Sequence, residues 1–478
     1  TQNQSSAASD VYKRQPLTPE SVMEILLRER ADGILLQFGG QTAINLALPI
    51  EAQLSHLENM GVSMQMVGTS PDAVDEASDR YRFEEFAKKN NLRMPRGTTA
   101  TDPISVRKAA ENIGYPVLIR PSYVLGGRGM EVLTDDKQLE AYMQEAYVAP
   151  EKPLLVDEYL GNAIELDVDA VCDGQDVLIG AVMEHLEEAG IHSGDSTCFI
   201  PTQNVSPEIL DQVEEWTRII GLELGVIGCF NIQYAIKKDE LFVLEVNPRG
   251  SRTFPFVAKS TGIPLARIAA RLTMGDLLSD LNIPERQEEA VAVKAPVFPF
   301  IKLRGLDPAP GPEMKSTGEV MGSHKNAAAA YLKARMATEI PVPTHGGVYI
   351  TVKDSDKESI ISLAKSLKDM EFDLYATRGT AAVLRERGGL EVNSAYRIAE
   401  QGSPDALDLM RDGKIQLIIN TPTNSGGAVL DGNMMRRLAV ELNIPFVTTM
   451  SGATMEVQAV AEMIKGLPEP RSLTIGTV

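Results

Sequence analysis

Residues 229–252 read Cys-Phe-Asn-Ile-Gln-Tyr-Ala-Ile-Lys-Lys-Asp-Glu-Leu-Phe-Val-Leu-Glu-Val-Asn-Pro-Arg-Gly-Ser-Arg, and this stretch decides the fold of the central part of the chain. Two apolar runs flank a polar triplet at 238–240, which predicts a β-hairpin whose loop is that triplet. In the resulting register, Gln233 lies opposite Glu245. Because side chains alternate between the two faces of a sheet, Asn247 should share one face with both.

The chemistry of these three side chains suits a divalent cation. One carboxylate and two amide oxygens form a donor set that fits Mg²⁺, which prefers oxygen ligands and shares its coordination sphere with substrate phosphates. Arg249 and Arg252 follow directly, and planar guanidinium groups can hold phosphoryl or carboxylate oxygens. The alternative interpretation is an ordinary amphipathic hairpin whose arginines form surface ion pairs.

A glycine-rich segment lies upstream of the hairpin. Residues 115–120 predict a short apolar strand that ends in Arg120, and a loop with the sequence Gly-Gly-Arg-Gly follows at 126–129. Small residues there would let backbone N–H groups approach a triphosphate. No Gly-Lys-Ser/Thr follows, and residues 130–133 resemble a further strand, so this is not a P-loop. The alternative is an ordinary glycine-rich turn.

Two further segments place polar groups at bends. The strand predicted at 154–160 ends in a polar bend that could face an adenine base, and Glu165 on the next strand could accept hydrogen bonds from ribose hydroxyls. The alternative is a sheet edge with solvated carboxylates. His192, one of five histidines, stands in a Gly-Ile-His-Ser-Gly-Asp-Ser loop at 190–196. Such a loop can orient a small anion, although a lone loop histidine is more often structural.

In this order and spacing, the segments resemble the ATP-grasp ligases and, within them, the large subunit of carbamoyl-phosphate synthetase. The motifs that carry the resemblance are Ser78-Asp-Arg80, Arg120-Pro-Ser-Tyr-Val-Leu-Gly-Gly-Arg128, Gly190-Ile-His-Ser-Gly-Asp-Ser196 and Glu245-Val-Asn-Pro-Arg249. They are similar to the carbamate-phosphorylating half of that family rather than to a generic ATP-grasp member. The resemblance extends over residues 16–478.

The resemblance implies a role for each matching residue. The implied ATP-binding set is Arg80, Arg120, Gly126, Gly127, Arg128, Gly129, Glu158, Leu160, Glu165, Gly190, Ile191, His192, Ser193, Gln233 and Glu245. The implied ligands of Mg²⁺ or Mn²⁺ are Gln233, Glu245 and Asn247. The implied catalytic residues are Arg120, His192, Asn247 and Arg252. Of these, His192 and Arg252 would position carbamate and the transferred phosphoryl group.

Composition limits the class of protein. A chain of 478 residues predicts about three domains. The formal net charge of −20 argues against binding to nucleic acid or to anionic membranes. Cys172, Cys198 and Cys229 form no Cys-x-x-Cys pair, which is typical of a reducing compartment. No apolar run is long enough to span a membrane and no signal peptide is recognisable, so we predict a cytoplasmic protein.

The expected fold class is α/β, divided into five segments. Residues 1–15 are polar and unpatterned and are interpreted as a non-native leader. The other expected segments are a truncated pre-ATP-grasp domain at 16–77, an ATP-grasp domain at 78–283, a subsidiary part of the synthetase domain at 284–340 and a methylglyoxal-synthase-like allosteric domain at 341–478. Near the start, Thr18 and the proline after it predict the beginning of a helix. A strand is expected at 34–38 and a loop at 39–42.

The last segment alternates strands and helices. Strands expected at 348–352, 373–376, 416–419 and 446–448 predict a parallel sheet with ligands at the strand ends. Loops at 377–380 and 420–427 offer hydroxyls and amides to a phosphate. The resemblance implies a regulatory nucleotide, UMP or IMP, held by Lys357, Thr377, Thr380, Arg397 and Asn420. The alternative for these loops is ordinary glycine-rich turns.

The chain contains one copy of each motif, whereas the family's large subunit carries two synthetase halves. The resemblance therefore implies a missing amino-terminal half and a glutaminase small subunit as partners. The expected function is ATP- and Mg²⁺-dependent phosphorylation of carbamate within glutamine-dependent carbamoyl phosphate synthesis, for pyrimidine and arginine biosynthesis. The alternative is a catalytically incomplete fragment that only binds a regulatory nucleotide.

Overall fold

The computed structural model describes residues 16–58, 64–121, 129–145, 153–286, 290–302, 307–421, 427–470 and 472–473. The strands in these ranges form four β-sheets. The α/β fold class expected from the sequence is confirmed.

The first part of the described chain is a small α/β unit. Its elements are α1 (Pro19–Glu29), β1 (Gly33–Leu35), α2 (Gly40–Ile44), α3 (Ala47–Glu58), β2 (Gln65–Val67) and α4 (Pro71–Ser78). Thr18 caps α1, as expected, because its side chain accepts a hydrogen bond from the Ser21 backbone N–H. The strand expected at 34–38 is shorter and begins one residue earlier. The loop expected at 39–42 is partly wrong, since α2 already begins at Gly40.

A four-stranded antiparallel sheet follows. Its elements are α5 (Arg80–Lys89), β3 (Gly97–Ala100), α6 (Pro103–Ile113), β4 (Val117–Pro121), β5 (Glu131–Leu133), α7 (Asp136–Glu145) and β6 (Leu154–Glu158). The strands run in the order β3-β6-β4-β5. Val106 and Ala110 of α6 pack with Ile119 and Val156 in a fully buried core, which attaches this helix to one face of the sheet.

The largest sheet has seven strands in the order β11-β10-β7-β8-β9-β12-β13. Its elements and their helices are β7 (Ile164–Asp173), β8 (Val177–Glu188), β9 (Cys198–Ile200), α8 (Pro207–Glu223), β10 (Ile227–Lys237), β11 (Glu240–Asn247), α9 (Phe254–Thr261), α10 (Leu265–Thr273), β12 (Val291–Val297), β13 (Gly318–His324) and α11 (Ala327–Ala337). Phe230, Ile232 and Tyr234 of β10 pack with Trp216 and Ile220 of α8. The opposite face of the same strands is polar, and it carries the candidate site.

The central hairpin turns more tightly than the sequence predicts. Lys237 pairs with Glu240, so the turn consists of Lys238 and Asp239 alone. Both turn residues have positive φ, 53° and 60°, as a type I′ turn requires. The three-residue loop expected at 238–240 is therefore wrong, because a two-residue primed turn matches the natural twist of the paired strands.

A bulge in β11 compensates for the shorter turn. Gln233 pairs with Glu245, but the next residue along β10 pairs with Val243, which leaves Leu244 as an extra residue. The bulge shifts the register by one position between the turn and the site. The predicted pairing of Gln233 with Glu245 is thus confirmed, and Asn247 lies on the same face.

The last region is a five-stranded parallel sheet, as expected. Its elements are β14 (Gly347–Thr351), α12 (Ile360–Asp369), β15 (Asp373–Thr377), α13 (Arg378–Glu386), β16 (Asn393–Ala395), α14 (Ala406–Arg411), β17 (Leu417–Asn420), α15 (Gly427–Glu441), β18 (Phe446–Val447) and α16 (Met450–Lys465). All strands are parallel, in the order β16-β15-β14-β17-β18. The chain adds β15 and β16 on one side of β14 and then β17 and β18 on the other, so the topological switch point lies between β14 and β17. Such a switch point is where open α/β sheets bind ligands. β16 has no equivalent among the expected strands, because its three residues carry no apolar alternation.

Helix α16 packs against α11 and joins the parallel-sheet region to the chain before it. Glu456 of α16 is fully buried and accepts hydrogen bonds from Tyr331 Oη at 2.9 Å and Arg335 Nε at 3.1 Å. Ala459 belongs to the same buried cluster as Tyr331 and Leu332. Across the described ranges, no helix is both long and apolar enough to cross a bilayer.

Candidate functional site

The candidate site lies on the polar face of the seven-stranded sheet. Residues that line this face are Glu165, Asp167 and Asp169 on β7, His185 on β8, Asn231 and Gln233 on β10, and Glu245 and Asn247 on β11. The intervening residues of the same strands point into the apolar core under α8. Because strand side chains alternate, burying the apolar face concentrates the carboxylates and amides on the other.

Gln233, Glu245 and Asn247 form the oxygen-donor group expected from the sequence. Gln233 faces Glu245 across the hairpin, and Asn247 is two residues further along β11. Glu245 is exposed and Asn247 is buried. In the described ranges, no three His, Cys, Asp or Glu side chains converge as a metal site. The hairpin group is of a different kind, because it combines one carboxylate with two amide oxygens. That set fits a hard divalent ion that takes further oxygens from phosphates.

The loop that contains His192 folds onto Gln233. Gln233 Nε2 donates to Ser193 Oγ at 2.9 Å, and Lys294 Nζ donates to the Ser193 carbonyl at 3.1 Å. His192 Nδ1 accepts from the Gly194 backbone N–H at 3.0 Å. Burial lowers the pKa of His192 below its ordinary value, which favours the neutral ring that this acceptor role requires. The structure thus brings three residues of the expected site together.

The same loop is attached to Glu165. The Gly190 backbone N–H donates to Glu165 Oε1 at 3.0 Å, and Ile191 follows directly. Gly190 has a φ of +95°, and a Cβ at this position would lie 2.7 Å from the ring of Tyr159. Only glycine fits this turn without strain. The carboxylate expected to hold a ribose therefore also fixes the start of the 190–196 loop.

A buried His–Asp pair lies beneath these groups and was not expected from the sequence. His185 Nε2 is 3.2 Å from Asp167 Oδ2, and its Nδ1 is 3.4 Å from Glu165 Oε2. Burial opposes the charge on His185, but Cys198, Asp167 and Glu165 together raise its pKa well above the ordinary value. Burial likewise opposes ionisation of Asp167, but His185 and Lys294 outweigh it and lower the pKa of that carboxyl. The imidazole of His185 thus lies between the carboxyl groups of Asp167 and Glu165.

Asp169 is a second buried carboxyl that sequence reasoning missed. It accepts hydrogen bonds from Asn231 Nδ2 at 2.9 Å, Ser251 Oγ at 2.7 Å and Thr253 Oγ1 at 2.7 Å. Burial raises its pKa to about 7. The alternation of acidic and apolar residues at 165–169 is the available signal, but a solvated sheet edge shows the same pattern. The cluster holds the segment around Arg252 against β7.

We expect Asp169→Asn to change how stability depends on pH. The folded-state pKa of about 7 lies above the ordinary 3.8, so between these values the native state binds more protons than the unfolded state. The contribution of this group to stability therefore falls as pH rises through that window, by up to about 1.4 kcal/mol per pH unit. Urea unfolding of both proteins across the window measures this. As pH rises, the free energy of unfolding of the wild type should fall relative to that of the variant. The same pH dependence in both proteins would contradict the expectation.

Arg80 and Arg120 converge on Asp157 of β6. Arg80 Nη2 lies 3.0 Å from Asp157 Oδ1, and Arg120 Nε lies 3.4 Å from Oδ2. These contacts are ion pairs and not hydrogen bonds. Among the described residues, the buried Nε atoms of both arginines and Oδ1 of Asp157 have no hydrogen-bond partner. The sequence placed Asp157 only within the 154–160 segment expected to face an adenine. In the structure Asp157 keeps two cations side by side, and a pair of guanidinium groups suits a phosphate chain.

The remaining expected nucleotide residues are more scattered. Glu158 Oε2 pairs with Arg96 Nε at 2.9 Å. Leu160 is buried in a small apolar cluster with Ala163, Ala189 and Ala235, next to the 190–196 loop. Gly129 has a φ of +73°. The other three residues of the expected glycine-rich cover lie outside the described residues: Gly126, Gly127 and Arg128.

The two arginines after β11 make hydrogen bonds at opposite sides of the site. Arg252 Nη1 donates to Ser316 Oγ at 3.1 Å. Arg249 Nη2 donates to Asn247 Oδ1 at 3.0 Å, and Arg249 Nε donates to Gln41 Oε1 at 2.7 Å. Arg252 therefore faces the segment before β13, whereas Arg249 links Asn247 to the first α/β unit.

A second cleft lies at the switch point of the parallel sheet. Its lining includes Thr351, Thr377, Arg397 and Asn420, three of which belong to the expected nucleotide site. Thr377 Oγ1 donates to Thr380 Oγ1 at 3.3 Å. A Cβ on Gly379 would lie 3.4 Å from Lys357 Nζ, so the cation stands near the first turn of α13. Thr377 and Asn420 thus lie at the ends of β15 and β17, and Arg397 lies just after β16. Thr380 lies in the first turn of α13.

Asn420 also connects this cleft to the preceding region. Its Oδ1 accepts a hydrogen bond from Arg436 Nη1 at 2.6 Å. Arg436 is buried and pairs with Asp307 through Nε at 2.8 Å and Nη2 at 2.5 Å. Residues 422–426 of the loop expected at 420–427 lie outside the described residues.

Two solved structures have a similar fold. The biotin carboxylase domain of the Hydrogenobacter thermophilus 2-oxoglutarate carboxylase, in complex with MgADP, ADP and bicarbonate, has a TM-score of 0.53 at 17% identity and covers 67% of this chain and 77% of its own. The Campylobacter jejuni biotin carboxylase in its β-γ-ATP complex has a TM-score of 0.51 at 16% identity, with 66% and 77% covered. At such identities the likeness shows the fold alone. Matches to family models identify the domain with this fold as an ATP-grasp ligase domain.

The chain belongs to the carbamoyl phosphate synthase large-chain family. Family models match the preATP-grasp domain at residues 1–76, the ATP binding domain at 79–281 and an MGS-like domain at 359–448. The large chain of Methanothermobacter thermautotrophicus is 48% identical over 470 residues, which is 97% of this chain and 43% of that protein. That of Methanosarcina mazei is 46% identical over 472 residues, 98% and 43% respectively. The chain thus spans less than half the length of these relatives, and the resemblance expected from its motifs is confirmed.

Proposed function

We propose that this chain phosphorylates carbamate to carbamoyl phosphate with ATP and Mg²⁺. The observation that carries the proposal is the hairpin register, which sets Gln233 opposite Glu245 with Asn247 on the same face. The match to the family's ATP binding domain supports it. The proposed reaction is part of glutamine-dependent carbamoyl phosphate synthesis for pyrimidine and arginine biosynthesis. Its proposed partners are an amino-terminal synthetase half and a glutaminase small subunit.

The proposed chemistry needs positioning and charge neutralisation rather than covalent participation of the protein. A divalent ion held by Gln233, Glu245 and Asn247 would neutralise charge on the nucleotide phosphates. Arg80 and Arg120 would bind the phosphate chain beside Asp157, where two cations already stand side by side.

The other side of the site would hold the acceptor. His192 is fixed by its bond to Gly194, and burial lowers the pKa of its ring, so a neutral ring would orient carbamate without adding a second full charge. Arg252, anchored by Ser316, would bind the carbamate carboxylate or the transferred phosphoryl group. Glu165, supported by His185, would accept hydrogen bonds from the ribose.

The test is formation of ATP from ADP and carbamoyl phosphate by the whole chain. The proposal expects ATP formation that requires Mg²⁺ or Mn²⁺. The alternative function, a catalytically incomplete fragment that only binds a regulatory nucleotide, expects no ATP but retained nucleotide binding. Absence of ATP formation with purified, folded chain would reject the proposed activity for these residues.

We also propose that the switch-point cleft binds a nucleoside monophosphate, UMP or IMP. Thr377 and Thr380 supply hydroxyls at the end of β15, next to the first turn of α13. Backbone N–H groups at a helix start favour an anion, and Lys357 adds a positive charge beside them. The match to the MGS-like domain supports a site in this region.

Calorimetric titration of the whole chain with UMP and with IMP tests the nucleotide site. Thr377→Ala combined with Lys357→Ala should weaken binding by about 1.5 to 3 kcal/mol for each charge-assisted bond removed. Lys365→Ala, which removes an exposed lysine from the nearby helix α12, should leave binding unchanged. No heat with either nucleotide, or equal binding by the double variant, would reject the site. The whole chain is needed because α16 of this region packs on α11.

A further inference from the structure

The contacts of Arg249 point to a positioning residue in the first α/β unit, far from the phosphate site in sequence. Arg249 Nε donates to Gln41 Oε1 at 2.7 Å across a separation of 208 residues. The same guanidinium donates through Nη2 to Asn247 Oδ1 at 3.0 Å. Gln41 therefore fixes the guanidinium of Arg249, which in turn donates to the carboxamide of Asn247, a proposed metal ligand.

The backbone around these residues is fixed by a second glutamine of the same unit. Gln37 is almost fully buried, and its Nε2 donates to the Pro248 carbonyl at 3.2 Å and the Cys229 carbonyl at 3.3 Å. The Gly250 backbone N–H donates in turn to the Gln37 carbonyl at 2.9 Å. Residues on both sides of Arg249 are thus attached to the first unit.

Close packing around Gln37 leaves little freedom at this junction. A Cβ on Gly68 would lie 2.3 Å from Gln37 Oε1, and one on Gly228 would lie 2.9 Å from the same atom. Both glycines have positive φ, 97° and 101°. Since the backbone is held by Gln37, the remaining freedom lies in the side chain of Arg249. Gln41 restrains it at Nε at 2.7 Å, and the Gly250 carbonyl accepts a longer bond from Nη1 at 3.3 Å.

We propose that Gln41 is a positioning residue for metal binding, acting through Arg249 on the carboxamide of Asn247. A carbonyl oxygen has two lone pairs, so an Asn247 Oδ1 that accepts from Arg249 is aimed by that bond and still has one lone pair for a cation. Groups that orient metal ligands typically change metal affinity by about tenfold to a hundredfold when they are lost. The inference rests on the proposed metal site but not on the identity of the phosphoryl acceptor.

Manganese binding tests this without any turnover. Mn²⁺ is titrated into the whole chain in the presence of ADP, and free Mn²⁺ is followed by electron paramagnetic resonance. Gln41→Met removes the acceptor oxygen and should raise the dissociation constant about tenfold. Gln41→Glu keeps an oxygen for Arg249 and should bind almost as tightly as wild type. Gln41→Ala removes the same oxygen without bulk and should match Gln41→Met.

Asn45→Ala is the matched control. Asn45 Oδ1 accepts from Gln41 Nε2 at 2.9 Å, so this variant removes the other side-chain bond of Gln41 while Arg249 keeps its acceptor. Its Mn²⁺ affinity should equal that of wild type. Equal affinities in all variants, or a loss in Asn45→Ala as large as in Gln41→Met, would overturn the inference, as would no Mn²⁺ binding by wild type. Tight Mn²⁺ binding without ATP formation would reject the proposed function and leave this inference standing.

Discussion

Glu245→Gln should abolish most ATP formation from ADP and carbamoyl phosphate while the fold is retained. Glu245 is the single carboxylate among the three proposed metal ligands, and it is exposed on the sheet face. The substitution keeps the size and the hydrogen-bonding oxygen but removes the negative charge. Loss of this charge from a site that stabilises the transition state should cost about 3 to 4 kcal/mol, or roughly a hundredfold to a thousandfold in rate.

Glu240→Gln on the same strand is the matched control. Glu240 is exposed beside the hairpin turn and pairs with Arg93 at 3.2 Å. An exposed pair of this kind contributes about 0 to 1 kcal/mol, and it lies far along β11 from the proposed metal ligands. The control should retain nearly full activity. Near-wild-type ATP formation by Glu245→Gln would show that the metal assignment is wrong.

Arg335→Met should strongly destabilise the contact between α11 and α16. Arg335 Nε lies 3.1 Å from Glu456 Oε2, and the Glu456 side chain is fully buried. Removing the cation leaves a buried carboxylate whose one remaining hydrogen-bond partner among the described residues is the Tyr331 hydroxyl. An uncompensated buried charge of this kind costs about 3 to 5 kcal/mol. We expect a lower midpoint of urea unfolding. Hydrogen exchange should also show reduced protection of the amides in α11 and α16.

Lys465→Met separates this effect from a general loss of helix charge. Lys465 lies at the end of the same helix α16 and pairs with Glu462 at 2.8 Å, but its side chain is mostly exposed. Its removal should change stability by less than about 0.5 kcal/mol. Similar small effects from both variants would contradict a stabilising role for the buried pair.

The pairing of Gln233 with Glu245 could be predicted because alternation of apolar and polar residues sets the register of a hairpin. The turn could not be predicted from that pattern alone. Polar residues at 238–240 suit a three-residue loop as well as a two-residue turn followed by a strand that begins at Glu240. The bulge at Leu244 has no sequence signal, since leucine fits both a paired and a bulged position. The predicted loop was one residue too long and the one-residue bulge was missed, so the predicted pairing of Gln233 with Glu245 was still correct.

The buried polar groups around Asp167 and Asp169 could not be predicted because they come from three separate strands, β7, β8 and β10, and from the segment after β11. Asp167 is next to His185 only because β7 pairs with β8, and next to Asn231 only because β7 also pairs with β10. A row of acids alternating with apolar residues looks the same whether it faces water or a histidine. Sheet order decides between the two, and sheet order is a long-range property.

Contacts between distant segments were beyond the reach of local patterns for the same reason. Gln41 follows two glycines that indicate a turn but not a contact, and its partner is 208 residues away. Glu456 lies in a helix whose apolar spacing predicts a buried face but not which helix covers it. Family motifs indicate the residues that we propose contact ATP, whereas the residues that hold them in place could be identified only from the packing.

A crystal structure of the chain grown with ADP and Mn²⁺ tests the central claim most directly. The account predicts anomalous manganese density within about 2.0 to 2.3 Å of Gln233 Oε1, Glu245 and Asn247 Oδ1, the range expected for oxygen ligands of small divalent ions. It also predicts ADP phosphates between that density and the Arg80–Arg120 pair. Manganese and ADP bound elsewhere, with the face of β10 and β11 left empty, would contradict the account.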